Sequence, residues 1–89
     1  MEGNILNANE YPSITICLNT IEKVRSFNDI ISKCKEDFEL HSNRYIVDAK
    51  SIMGIFSLDL TKPMKLVIHS LDKNRLNIIY DLIEAYTIN

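Results

Sequence analysis

Ser51 heads the step Ser51-Ile52-Met53-Gly54, a hydroxyl followed by two apolar residues and a glycine within "AKSIMGIFSLDL" (Ala49 to Leu60). A serine there has two uses. At the start of a helix its oxygen accepts a backbone N–H and caps the first turn, a contribution of about 1 kcal/mol. As an exposed hydroxyl it accepts a phosphoryl group, and a charge of about −1.5 to −2 is tolerated beside the unpaired N–H groups of a helix start. Ile52 and Met53 also have two uses, as core or as a docking surface, and an exposed Met suits a surface that fits several partners. Gly54 costs about 1 kcal/mol relative to Ala inside a helix, so its presence predicts a close approach. Lys50 is placed to supply charge at the rim.

Other reactive side chains are sparse. His41, His69 and Cys17 fall on one side of their strands by alternation, which would put them together on a sheet face. They lack the close spacing of metal ligands, such as C-x-x-C or H-x-x-x-H, and read as surface or cross-strand residues with no metal and no cofactor. There is no Gly-rich phosphate loop, and no Ser/His/Asp or paired-carboxylate arrangement can be placed. The expectation is a protein that is not an enzyme.

The elements that position these residues follow from hydrophobic period. "SITICLN" (Ser13 to Asn19) alternates, with Ile14, Ile16 and Leu18 on one side, as in a half-buried strand. Val24, Phe27, Ile31 and Cys34 then recur at helical spacing, predicting a helix over 21–35. Asn19 and Glu22 form a capping-box pair there, with Thr20 as the competing cap. Phe38 and Leu40, then Tyr45, Val47 and Ala49, alternate around the turn formers Ser42-Asn43 and predict a hairpin. Ser51 caps a short helix over 51–58, with Phe56 and Leu58 in the core. "MKLVIHS" (Met64 to Ser70) is a fourth strand with Leu66 and Ile68 inward. Asp72 opens a last helix running to about Tyr86 through Leu76, Ile79 and Ile83. The order is β-α-β-β-α-β-α, packed most economically as a four-stranded antiparallel sheet with three helices on one face, an α+β open-faced sandwich.

Bulk properties agree with one domain. The chain has 89 residues, 46% hydrophobic and 25% charged, with a net charge of −2. That is too apolar for disorder and too small for a second core. Scattered Lys and Arg argue against nucleic-acid binding, and no apolar run is long enough to span a membrane. "MEGNILNANE" has neither a basic start nor an apolar run, so it does not read as a signal peptide. Residues 1–10 are expected to be flexible and 11–89 to form the domain. Cys17 and Cys34 do not make a disulfide framework, which points to reduced thiols and a cytoplasmic location. Proteins are the expected partners of a monomer or weak dimer.

"KSIMGIFSL" resembles the regulatory-serine segment of HPr, the small phosphocarrier of the bacterial phosphoenolpyruvate-dependent sugar phosphotransferase system, which reads close to K-S-I-M-G-V-M-S-L-G in Gram-positive members. The likeness extends from about Ser13 to Tyr86 and carries the HPr element order. It implies an HPr-like open-faced sandwich, phosphorylation of Ser51 by HPr kinase/phosphorylase, and partner docking on Ile52 and Met53, with Lys50 and Gly54 beside them. The implied partners include that kinase, a transcriptional regulator and other components of the system. The family's catalytic histidine lies in G-L-H-[AT]-R-P between the first strand and first helix. Here that junction reads "CLNTIEKVRS", with Thr20 and Ile21 nearest the vacated position and no histidine. Arg25 is too far into the helix to replace the family's active-site arginine, and Glu22 would repel a phosphoryl group. The resemblance therefore implies a regulatory or binding module similar to the catabolite-repression HPr-like proteins, which also lack the histidine. The alternatives are a phosphocarrier with a non-standard acceptor, or an HPr-fold interaction domain unrelated to sugar transport.

Overall fold

The computed structural model describes residues 11–88; the flexible segment expected over residues 1–10 lies outside them. Strands β1 (Ser13–Ile16), β2 (Phe38–Ser42), β3 (Tyr45–Asp48) and β4 (Met64–Ile68) alternate with helices α1 (Ile21–Ser32), α2 (Ile52–Phe56) and α3 (Lys73–Ile83), and a 3-10 turn follows at Glu84–Tyr86. The sheet is antiparallel in the order β1-β4-β2-β3. Helices cover one face, as the periodicities predicted, and the other is open.

Alternation builds the core. Ile14, Leu66, Leu40 and Val47 lie side by side across the four strands, and Ile16, Phe38 and Ile68 continue the same side. Val24, Phe27 and Ile31 of α1, Ile55 of α2, and Ile79 and Ile83 of α3 meet them from above. Tyr86 closes the end, its ring edge-on to Phe27 with centroids 5.6 Å apart and its hydroxyl 2.6 Å from Ser26 Oγ.

Several boundaries are shorter than expected. The first strand was expected through Asn19, but its ladder stops at the pair Ile16–Met64. Cys17 N–H faces away from β4 and donates to Tyr86 O at 2.9 Å, so beyond Ile16 the chain is held by the segment after α3. Helix α1 ends at Ser32 and not at 35, tightened by i−3 bonds from Lys33 to Ile30 and from Cys34 to Ile31. The fourth strand runs to Ile68 and not to Ser70, although one further bond in the β2 register follows it, from His69 N–H to Asp37 O at 3.0 Å. Helix α3 passes into the 3-10 turn before reaching Tyr86. Thr20, not Asn19, caps α1, its Oγ1 accepting Lys23 N–H at 3.1 Å. Asp72 caps α3 as expected, accepting from Asn74 and Arg75.

One ion pair ties the end of the first helical segment to α3. Arg75 forks onto Glu36, Nε to Oε2 at 2.7 Å and Nη2 to Oε1 at 3.0 Å. The Glu36 side chain is only 5% exposed, and the guanidinium's hydrogen bond holds its carboxyl down to about 2 from an ordinary 4.5. A depressed carboxylate stabilises the fold fully above its ordinary value and loses that contribution as pH falls towards the folded one. Urea titrations should therefore show stability draining between about pH 4.5 and 2. Arg75→Met should cost about 2–3 kcal/mol at neutral pH and make that acid decline shallower.

Candidate functional site

The Ser51 segment is held by bonds from two directions. Asp48, the last residue of β3, accepts Ser51 N–H on its carbonyl at 2.9 Å and Lys50 N–H on Oδ1 at 2.9 Å. Asn28, halfway along α1, donates Nδ2 to Lys50 O at 2.9 Å and to Ala49 O at 3.3 Å. Ala49 itself is buried in the core. Ser51 is thus fixed in extended backbone as the N-cap of α2, its Oγ accepting Gly54 N–H at 3.2 Å. The hydroxyl is exposed.

Helix α2 is five residues long, where the sequence predicted eight. So short a helix has one inward and one outward stripe at i, i+3 spacing. Ile52 and Ile55 form the inward one: Ile55 is fully buried and Ile52 packs partly against the core. Met53 and Phe56 form the outward one, 75% and 38% exposed. Phe56 is therefore not the core residue expected, because the chain turns at Ser57 before α2 can bury a second face. Leu58 is buried as predicted.

The cost of Gly54 has a visible cause. A Cβ there would lie 3.3 Å from both Val47 Cβ and Ser51 Oγ. A methyl group would push α2 away from β3 and crowd the capping oxygen. The approach is between helix and side chains, and not between two backbones. Lys50 donates Nζ to Cys34 O at 2.7 Å, with its ammonium 5.8 Å from the centre of the Phe38 ring. Its charge is committed to the fold beside the patch.

At the start of α1, Thr20 serves as the cap and Ile21 is 59% exposed. The histidines lie on the open face of the sheet. His41 Nε2 is 2.8 Å from Glu39 Oε1 and His69 Nε2 is 3.0 Å from Glu39 Oε2, and Tyr11 stacks on His69 with centroids 4.8 Å apart. One carboxylate thus takes a bond from each ring, and these bonds, His41's first, lower the Glu39 carboxyl from its ordinary value. Among the described residues, no group of three or more His, Cys, Asp or Glu side chains is arranged to hold a metal ion. Cys17 is half-buried; Cys34 is buried, and burial pushes its thiol up.

A solved structure decides the fold. The crystal structure of HPr-C-His from Thermoanaerobacter tengcongensis superposes with a TM-score of 0.65 at 26% identity, covering 83% of this chain and 92% of that one. The fold is HPr-like. No family model matches the chain, and no curated protein sequence does. No helix among the described residues is long and apolar enough to cross a membrane.

Sequence reasoning placed Ser51, Met53 and the histidines' strand face, and missed Asn28, Glu39 and the Glu36–Arg75 pair. Glu39 left a signal, since Glu39 and His41 share a face at i, i+2. Asn28 left only its polar type within a helix.

Asn28→Ala should cost about 1–2 kcal/mol in urea titrations and speed amide exchange from Lys50 to Gly54 relative to the core strands. Ser51→Ala should cost about 1 kcal/mol, and Ser51→Asp, which keeps a capping oxygen, much less.

Proposed function

We propose that this HPr-like protein is a cytoplasmic, non-catalytic regulatory module of the sugar phosphotransferase system, controlled by phosphorylation of Ser51. The observation that carries the reading is the exposed cap hydroxyl of Ser51 beside the outward stripe of α2, on a fold shared with an HPr structure. A kinase needs a hydroxyl that can be reached without unfolding the chain, and a partner needs an apolar surface whose surroundings change when charge is added. Ser51 offers the first, and Met53 with half-buried Ile52 offers the second. Gly54 keeps α2 low against β3, so the patch is presented by a rigid element. Phosphorylation would place a charge of about −1.5 to −2 next to that patch.

Support for the non-carrier half of the reading comes from the junction between β1 and α1. Cys17 to Ile21 contains no histidine, Thr20 is used as a cap, and Glu22 stands in the first turn of α1. The two histidines of the chain both engage Glu39 on the open face. The partners of this reading are the HPr kinase/phosphorylase, a transcriptional regulator and other proteins of the sugar system.

Intact mass after incubation with HPr kinase/phosphorylase and ATP should rise by a single phosphate, and Ser51→Ala should show no gain. Phosphoenolpyruvate-charged enzyme I should transfer nothing. A phosphate arriving from enzyme I, or none arriving from the kinase, would each remove half of the reading.

A further inference from the structure

Two consecutive peptide planes lead into Ser51, and each is pinned at both ends. In the first, Ala49 O accepts from Asn28 Nδ2 at 3.3 Å and Lys50 N–H donates to Asp48 Oδ1 at 2.9 Å. In the second, Lys50 O accepts from the same Nδ2 at 2.9 Å and Ser51 N–H donates to Asp48 O at 2.9 Å. Asp48 closes β3, whereas Asn28 stands in α1. The amide ends are thus held by the strand and the carbonyl ends by the helix. A carboxamide –NH2 has two hydrogens, one for each carbonyl. Asn28 supplies both carbonyl ends by itself.

The residue type suits this task better than its own helix. Away from the caps Asn is a poor helix former, because its side chain competes for backbone groups. It nevertheless stands in the middle of α1, half-buried, on the side of Val24 and Ile31. An apolar residue there would leave Ala49 O and Lys50 O without that donor. Helix α2 cannot take over the task, since five residues are too few to hold a helix by its own turns.

We propose that Asn28 is the positioning residue for phosphorylation of Ser51, fixing the direction of the acceptor oxygen through the two planes before it. This role rests on phosphorylation of Ser51 itself. In that reaction Ser51 Oγ bonds to the γ-phosphorus of ATP as the bond to the bridging oxygen of ADP breaks. The hydroxyl proton passes to a base of the kinase, and ADP leaves. Transfer is fast only while the attacking oxygen is held in line, and a misplacement of about 1 Å can cost on the order of a hundredfold in rate. Docking is a separate contact, because Met53 is carried by a helix seated through buried Ile55. Loss of the Asn28 bonds therefore slows transfer and leaves capture by the kinase nearly unchanged.

Initial rates with HPr kinase/phosphorylase at saturating ATP, followed against the concentration of this protein, separate the two effects. Asn28→Ala should lower kcat about tenfold or more, and so should Asn28→Asp, which keeps the shape and removes both donor hydrogens. KM should stay within about twofold in each. Ile83→Val, a core truncation on α3, is the stability control and should keep the natural kcat. Circular dichroism at the assay temperature confirms that every variant is folded. A natural kcat in both Asn28 variants overturns the role and leaves phosphorylation of Ser51 standing. So does a raised KM at unchanged kcat, which would make Asn28 part of the docking surface, or an equal fall of kcat in Ile83→Val. No phosphate on the natural protein overturns the phosphorylation reading and this role with it.

Discussion

β4 is the strand on which every other packing decision depends. It lies between β1 and β2, and Met64, Leu66, Val67 and Ile68 are all buried. Leu66 and Ile68 carry the core beneath the helices, while Val67 is buried on the opposite face between Ser13 and Glu39. A strand buried on both sides cannot slip by one residue without exchanging apolar and charged positions, because Lys65 would then turn inward. Its register fixes where β1 and β2 lie. Through the β2–β3 hairpin it also fixes Asp48, whose carbonyl and carboxylate hold the backbone at Ser51 and Lys50. The position of the candidate phosphorylation site is thus set by a strand it never touches.

The helical face sets buried and exposed apolar residues side by side. Ile55 is sealed in the core, whereas Met53, two positions earlier, is the most exposed of the large apolar side chains among the described residues. Lys50 shows the same economy in reverse: a surface cation spends its ammonium on Cys34 O and leans over Phe38. Such contacts make the Ser51 segment stiff although it is short. Burial of Ile55 and the two bonds from Asn28 replace the support that a longer helix would draw from its own turns.

Much of this was legible in the residues. The change of period from Ile14, Ile16 and Leu18 to Val24, Phe27 and Ile31 located the first strand and helix, and Asp72 marked the start of α3. Alternation correctly put His41 and His69 on the open face. The errors share one cause: local pattern does not report partners distant in sequence. Past Ile16 the first strand leaves β4 and Cys17 bonds to Tyr86, far downstream, and nothing near Asn19 announces it. Phe56 looked like core because its spacing is helical, but a helix of one turn and a half has no room to bury it. Glu36 and Arg75, or Glu39 and His69, meet only after the chain has folded back. Asn28 reads as an ordinary polar position until Lys50 O is placed against it.

The bonds around β1 bear on the order in which the molecule can be assembled. Its ladder partner is β4, and its other neighbours are Tyr86, Thr87 and Ile88, through Cys17 N–H to Tyr86 O, the bridge from Ile16 to Thr87, and Ile88 N–H to Thr15 O. All of them lie far downstream, so a ribosome has made α1, the β2–β3 hairpin and α2 before β1 has anything to pair with. During synthesis β1 therefore waits as an apolar segment without a sheet, and these contacts of long sequence separation are the slow ones to form. The residues just after α3 then act as a latch that closes the sheet at its first strand.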